Sequence, residues 1–325
     1  MMRSLKAPFA LVTLLCVALL TSVSWADDLP TIRLGALSFG TVNWELDTIK
    51  NNKLDEKHGF KLEVVPMGGG SASDIAFLGG EIDVMVSDVI WAAAQRAEGR
   101  DLKFIPYSTA VGGIMVKADS GIDSLKDLKD KKVGIAGGPL DKSWLILQAY
   151  AKQQGDIDLK TDTQQEFGAP PLMFKAALKG DIQGVINFWH FQAKARAAGM
   201  KEIISVQDAA ESLGLDPSVP LLGYIVNGNM DEKLAQGLFA ASRAAKELLG
   251  NDDAAFEAVR ERMKAKNDAQ FDALKAGFRA GIPASAEVDE AAVDRTLQMM
   301  AKLGGPDLVG KATTLPENLF ISPAE

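Results

Sequence analysis

The chain nearly repeats itself at an offset of one hundred residues. Leu78-Gly79-Gly80-Glu81-Ile82-Asp83-Val84-Met85-Val86-Ser87 reads against Leu178-Lys179-Gly180-Asp181-Ile182-Gln183-Gly184-Val185-Ile186-Asn187. Earlier in each half, Arg33-Leu34-Gly35-Ala36-Leu37 parallels Lys132-Val133-Gly134-Ile135-Ala136. Each segment reads as a helix end, a glycine turn and a buried strand that runs into a polar residue. Two similar α/β lobes follow, with those polar ends facing one another across a cleft, where small ligands bind.

The first residues read as an export signal. Arg3 and Lys6 precede an apolar run from Ala7 to Leu20, and Ser24-Trp25-Ala26 suits a signal peptidase. The run is short for a membrane span. Cys16 follows bulky Leu15, where a lipoprotein site wants a small residue, and so belongs to the apolar stretch. Residues 1–26 are therefore expected to be removed. The mature chain then holds no cysteine, so neither a disulfide nor a thiol nucleophile is available. Without Arg3 and Lys6 it carries 33 basic and 43 acidic residues, a net charge of −10. Such a surface argues for a soluble protein and excludes a nucleic-acid partner, which wants a basic face.

Thr31–Leu37 has the apolar pattern of a first strand, and a helix follows that ends near Lys57-His58-Gly59. Phe60–Val65, Ile82–Val86 and Leu102–Tyr107 are further strands, with helices before and after Ile82–Val86. The alternation predicts a parallel, doubly wound sheet. Val111–Val116 is one more strand, Ser124 caps a short helix, and Lys132–Ala136 opens the second set. Asp231–Leu303 is helical by its spacing, and Pro306–Glu325 reads as an irregular tail.

Lys57-His58-Gly59-Phe60, Leu78-Gly79-Gly80-Glu81-Ile82-Asp83 and Ser120-Gly121-Ile122-Asp123-Ser124-Leu125-Lys126-Asp127-Leu128-Lys129 occur here together behind a signal sequence. In this the chain resembles the periplasmic substrate-binding proteins of ABC importers. The resemblance is to the branch with sulfonate, taurine and nitrate binders and the NMT1/THI5-like thiamine-precursor proteins. It spans Thr31–Met230 and implies the type II periplasmic-binding-protein fold: two doubly wound α/β lobes joined by two crossovers. It places lobe 1 at 27–117 and 224–325 and lobe 2 at 118–223. The crossovers are then expected after Val116 and near Leu222–Val226, with the C-terminal helices packed on lobe 1. It also implies a periplasmic monomer that closes around a small molecule and delivers it to a permease and ATPase in the inner membrane. Trp189 is followed by His190-Phe191, where the family often has an acid, a proline and an aromatic, so the ligand's identity stays open.

Topology alone nominates a site. In open α/β sheets ligands lie beyond the carboxyl ends of the strands. Those ends are Ser38-Phe39, Gly70-Ser71, Ser87-Asp88, Gly137-Gly138 and Asn187. Backbone amides at Gly70, Ser71 and Gly138 suit an acidic group, and Ser38, Ser87 and Asn187 suit orientation. Trp44, Trp91, Trp189 and Phe39 would cover an apolar or aromatic part. Lys142 is placed to pair with an anion, Asp88 with an amine, and His190 is a hydrogen-bonding or pH-sensitive contact. Plainer roles compete: glycines form turns, Ser87 or Asp88 caps the next helix, and aromatics fill cores.

No catalytic constellation is present. Gly-x-Ser-x-Gly is absent, as are the glycine patterns of nucleotide loops, and two histidines do not make a metal site. A non-enzymatic receptor without cofactor or metal is expected, binding a small organic ligand that is anionic, aromatic or both. The alternatives are a periplasmic binding protein serving a sensor or a redox enzyme and, more remotely, a THI5-like pyrimidine-synthesis enzyme.

Overall fold

The computed structural model describes residues 29–155 and 157–323. The signal-peptide reading falls on residues 1–26, outside the described residues. Among the described residues no helix is long and apolar enough to cross a membrane.

Two five-stranded sheets organise the chain. The first contains β1 (Thr31–Leu37), β2 (Lys61–Met67), β3 (Val84–Asp88), β4 (Leu102–Ser108) and, much later, β10 (Leu222–Asn227). The second contains β5 (Gly113–Lys117), β6 (Lys132–Ala136), β7 (Gln164–Gly168), β8 (Gly184–Asn187) and β9 (Met200–Ser205). The strand orders are β2-β1-β3-β10-β4 and β7-β6-β8-β5-β9, one topology built twice. The internal repeat is thereby explained: β3 and β8 hold equivalent places, as do β1 and β6.

A pair of glycines shows why the repeat survives in those strands. A Cβ on Gly35 would lie 2.4 Å from Cδ1 of Ile82, and one on Gly134 would lie 2.3 Å from Cδ1 of Ile182. In each lobe the isoleucine of the helix-to-strand turn drops onto the bare backbone of the first strand. Close packing leaves no room for a methyl group there.

The sheets are mixed rather than wholly parallel. β10 runs antiparallel to β3 and β4, and β5 runs antiparallel to β8 and β9. These odd strands are the ones that join the lobes, and they correct the expected boundary. β5 pairs inside the second sheet, so the first crossover lies between Ser108 and Gly113, ahead of β5 and not after Val116. The return passes before Leu222, after a helix at Val206–Ser212 that packs on the second-lobe helix Lys142–Gln154.

The expected first helix is two, Val42–Asn51 and Leu54–Lys57, separated at Lys53, whose φ of 52° is left-handed. Ser124 does cap a helical turn, a 3-10 turn at Leu125–Leu128 closed by a capping box with Asp127. The C-terminal helices do more than cover the first lobe. Glu232–Asn251 packs on Val42–Asn51, but Asp268–Ala280 packs on the second-lobe helix Trp189–Ala197, and Glu290–Gly304 on Lys142–Gln154. The tail forms a short helix, Pro306–Val309, and Phe320 bridges to Phe104 of β4.

A buried polar network fixes the first helix. Glu45 is fully buried and accepts from Tyr224 Oη and Ser242 Oγ, each at 2.6 Å, while the Lys246 ammonium pairs with its other oxygen. Lys246 also lies 4.5 Å from the Tyr107 ring centre. Burial lowers the lysine's pKa, and the Glu45 carboxylate beside it opposes that shift. Removing one partner of such a pair costs about 3–5 kcal/mol, because the other charge is left buried alone. The network anchors the helix that begins directly after the Ser38–Thr41 loop to β10 and Glu232–Asn251.

Candidate ligand cleft between the lobes

The carboxyl ends of β1, β2 and β3 face those of β6, β7 and β8, and two contacts close the space between them. The first is ionic. Asp88 ends β3 and caps the helix Val89–Ala97, accepting from Trp91 N at 2.9 Å. Its other oxygen lies 2.8 Å from Nζ of Lys142, the first residue of the helix Lys142–Gln154. One carboxylate thus serves both as the expected cap and as one half of an interlobe pair.

The second contact is aromatic. Trp44, in the first turn of Val42–Asn51, meets Trp189 of the second lobe edge-to-face, with ring centres 5.9 Å apart. Trp44 is only 4% exposed and also packs on Phe278 of the C-terminal helix Asp268–Ala280. Trp189 lies against Gly277 of that helix, where a Cβ would approach its ring to 2.7 Å. Aromatic pairs of this geometry contribute about 0.5–1.5 kcal/mol beyond area burial.

Two further acids join Lys142 and Asp88. Asp141 caps the helix Lys142–Gln154 by accepting from Trp144 N at 3.0 Å. Burial raises its carboxyl to about 6, against the lowering effect of that hydrogen bond and of Lys142. Asp74 is raised by burial and by the Asp88 charge, with Lys142 opposing. Burial works against the Lys142 ammonium, yet Asp88 first, then Asp141 and Asp74, hold its pKa above the ordinary value. Asp141 was not among the residues nominated from sequence. Its signal was present, an acid directly ahead of a helix after Gly-Gly-Pro.

The other nominated residues divide by position. Ser38 is exposed at the turn after β1 and reaches back to the Met67 carbonyl, with Phe39 half-buried beside it. Gly70 and Ser71 open the exposed first turn of the helix Gly70–Leu78, and there is open space beside Gly68, Gly69, Gly70 and Gly138. Gly137 donates its N–H to the Gly168 carbonyl, stitching the ends of β6 and β7 together. Ser87 is half-buried in β3.

Three nominated side chains are turned to other work. Asn187 is 4% exposed; its amide donates to the Pro170 carbonyl at 2.9 Å and its oxygen accepts from Phe188 N at 2.8 Å. Those bonds shape the loop after β8 and hold the side chain in the protein interior. Trp91 packs edge-to-face on Phe77, away from the Trp44–Trp189 pair. His190 is packed with Phe188, Trp189 and Phe191, and among the described residues its buried Nε2 has no hydrogen-bond partner. Burial, helped by Lys194, pushes its pKa down to about 3, so the ring is neutral at ordinary pH and is no proton switch there.

A mixed five-stranded sheet in each of two lobes, with exchanged connecting strands and convergent loops, defines the bilobal fold of type II periplasmic binding proteins. The chain belongs to the NMT1/THI5-like family, whose pattern matches residues 56–254. The alkanesulfonate-binding protein SsuA of Xanthomonas axonopodis pv. citri, solved with MOPS bound, superposes with a TM-score of 0.70 at 18% identity. That match covers 91% of this chain and 100% of that one. The periplasmic aliphatic sulphonate binding protein SsuA of Escherichia coli gives 0.69 at 16% identity, over 91% and 94% of the two chains. The periplasmic nitrate-binding protein NrtA of Synechocystis PCC 6803 gives 0.56 at 14%, over 76% and 69%. Likeness at these identities is a likeness of fold. No curated protein matches the chain.

Proposed function

We propose that this chain is the solute-binding receptor of an ABC importer, a periplasmic monomer that captures a small organic ligand between its lobes by hinge closure. The observation that carries the reading is the pair of interlobe contacts, Asp88 with Lys142 and Trp44 with Trp189. Both arise at strand ends where an open α/β sheet binds ligands. A ligand that touches both lobes favours the closed form because only that form offers all its contacts. The two passages between the sheets serve as the hinge.

The fold relatives support the same reading, since those named above are described as binding proteins for sulfonates or nitrate. Trp44 is only 4% exposed, so the Trp44–Trp189 pair packs the lobes together, and the proposed aromatic or apolar part of the ligand would meet half-buried Phe39. The expectation of an anionic head rests on the amides of Gly70, Ser71 and Gly138, and it meets three carboxylates in the cleft. Ligand delivery to a permease and ATPase, and not turnover, is the proposed role.

The test is thermal-shift screening of the mature protein against sulfonates, carboxylates, amines, pyrimidines and nitrate. A ligand at one hundred times its dissociation constant stabilises the fold by about 2.7 kcal/mol, so one chemical class should raise the melting temperature dose-dependently. Conversion of the compound by the purified protein would instead identify an enzyme.

A further inference from the structure

The helix Asp268–Ala280 has two unlike faces. Phe271, Leu274 and Phe278 are buried in the first-lobe core that also holds Leu46, Ile49 and Phe256. Ala273, Gly277 and Ala280 stand on another side, toward Trp189, Gln192 and Arg196 of the second-lobe helix Trp189–Ala197. Spacings of three and four put each trio on one side of its helix. The large face is anchored. Beyond it, the Gly281 carbonyl accepts from Thr109 N at 3.0 Å, which ties the end of the helix to the first crossover. The small face is only partly covered: Ala280 is exposed, and a cavity of about 490 Å³ lies between the two helices and residues 109–112 of the crossover. When the lobes part, the second-lobe helix therefore moves over a face that stays with the first lobe.

One contact across this seam is close. A Cβ on Gly277 would lie 2.7 Å from Cζ3 and 2.8 Å from Cε3 of Trp189. Carbon atoms in contact sit about 3.5–4.0 Å apart, so even a methyl group would push the ring away. Glycine inside a helix lowers its stability relative to alanine. Gly277 lies in the helix interior and its φ is not left-handed, so the backbone does not call for glycine there. The ring does. The same ring meets Trp44 edge-to-face, and Phe278, next to Gly277, packs on Trp44. Trp189 thus enters a slot between two first-lobe groups, Trp44 and Gly277, and fills it only when the lobes are together.

Resting on the receptor reading above, we infer that Gly277 is a positioning residue for closure. Its bare backbone is the seat that lets Trp189, and with it the second lobe, reach its final place beside Trp44. How far the cleft shuts is thereby set by a C-terminal helix as well as by the loops at the strand ends.

The experiment measures the distance between spin labels on Ala72→Cys and Lys175→Cys, exposed positions on helices of opposite lobes, without added ligand. It is run in buffer and in sucrose at about 1 M, a cosolute whose exclusion favours the form with less exposed surface. In the parent protein, sucrose should enlarge the short-distance population. Gly277→Ala should reduce that population at least several-fold in both solutions. Adding Trp189→Phe to it should restore part of the loss, because the smaller ring leaves room for the methyl group. Gly250→Ala is the control, the same change in the helix Glu232–Asn251, where the new Cβ finds an ordinary contact 3.6 Å from Cδ1 of Ile282. It should leave the distances unchanged, and thermal melts report the fold of each variant. A role confined to packing would move the melting temperature and not the distances. Unchanged distances in Gly277→Ala, an equal change in Gly250→Ala, or no short population in the parent even in sucrose overturns the assignment. None of these outcomes touches the receptor reading, which the thermal-shift screen decides separately.

Discussion

Asp141 concentrates the electrostatics of the cleft in one carboxyl. Burial raises it to about 6, while it caps a helix and feels the charges of Lys142 on its own element and Asp88 on the first lobe. A carboxyl whose folded pKa lies above its unfolded value favours the folded state when protonated. That contribution is fully present below about 3.9 and is lost as pH rises through about 6. Asp141→Asn keeps an acceptor for the Trp144 amide and carries no charge. It should raise the melting temperature at pH 8 and leave it unchanged at pH 4. An equal shift at both pH values would show that Asp141 acts only as a cap. The same residue shows why a site is read incompletely from a chain. An acid ahead of a helix is legible as a cap, but its burial and its neighbours depend on a lobe folded from elsewhere. Asn187 teaches the converse lesson, since a polar residue at a strand end was nominated for a ligand and is committed to the Pro170 carbonyl.

At the scale of elements, the repeat made the paired strands β3 and β8 legible, because a glycine turn and a buried apolar run are local signals. The exchange of β5 and β10 between sheets was not legible. β10 pairs with β3 and β4 across more than one hundred residues of chain, and nothing in Leu222–Asn227 itself states which sheet it enters. For the same reason the helix Asp268–Ala280 could be recognised as a helix but not as the support for Trp189. The glycine–isoleucine contact is the element-scale feature most open to test. Gly134→Ala in a strand would ordinarily stabilise by reducing unfolded-state entropy. Here the new methyl group meets Ile182, so it should destabilise by about 1–3 kcal/mol in urea unfolding. Ile182→Val in the same chain should restore part of that loss. Stabilisation by the single change would show that the packing is looser than described.

The whole molecule is two copies of one sheet topology, joined by exchanged strands and braced by C-terminal helices that touch both lobes. Two short passages connect the lobes, between Ser108 and Gly113 and between Ser212 and Leu222, and the proposed closure would turn on them. The ionic contact across the cleft is modest by comparison. The Asp88–Lys142 pair is partly exposed, and pairs of that kind contribute roughly 0–1 kcal/mol. That ion pair alone adds little to closure, and the larger contacts between the lobes are the Trp44–Trp189 pair and the packing of the C-terminal helices.

Capture by closure is directly measurable, because the chain has no cysteine after Cys16. Ala72→Cys and Lys175→Cys place two labels on exposed positions of the helices Gly70–Leu78 and Pro170–Lys179, at the lips of opposite lobes. The distance between paired spin labels should be broad in the free protein. A compound selected by the thermal-shift screen should collapse it to a single shorter population. A compound that binds tightly and leaves the distribution unchanged would contradict capture by closure between the lobes.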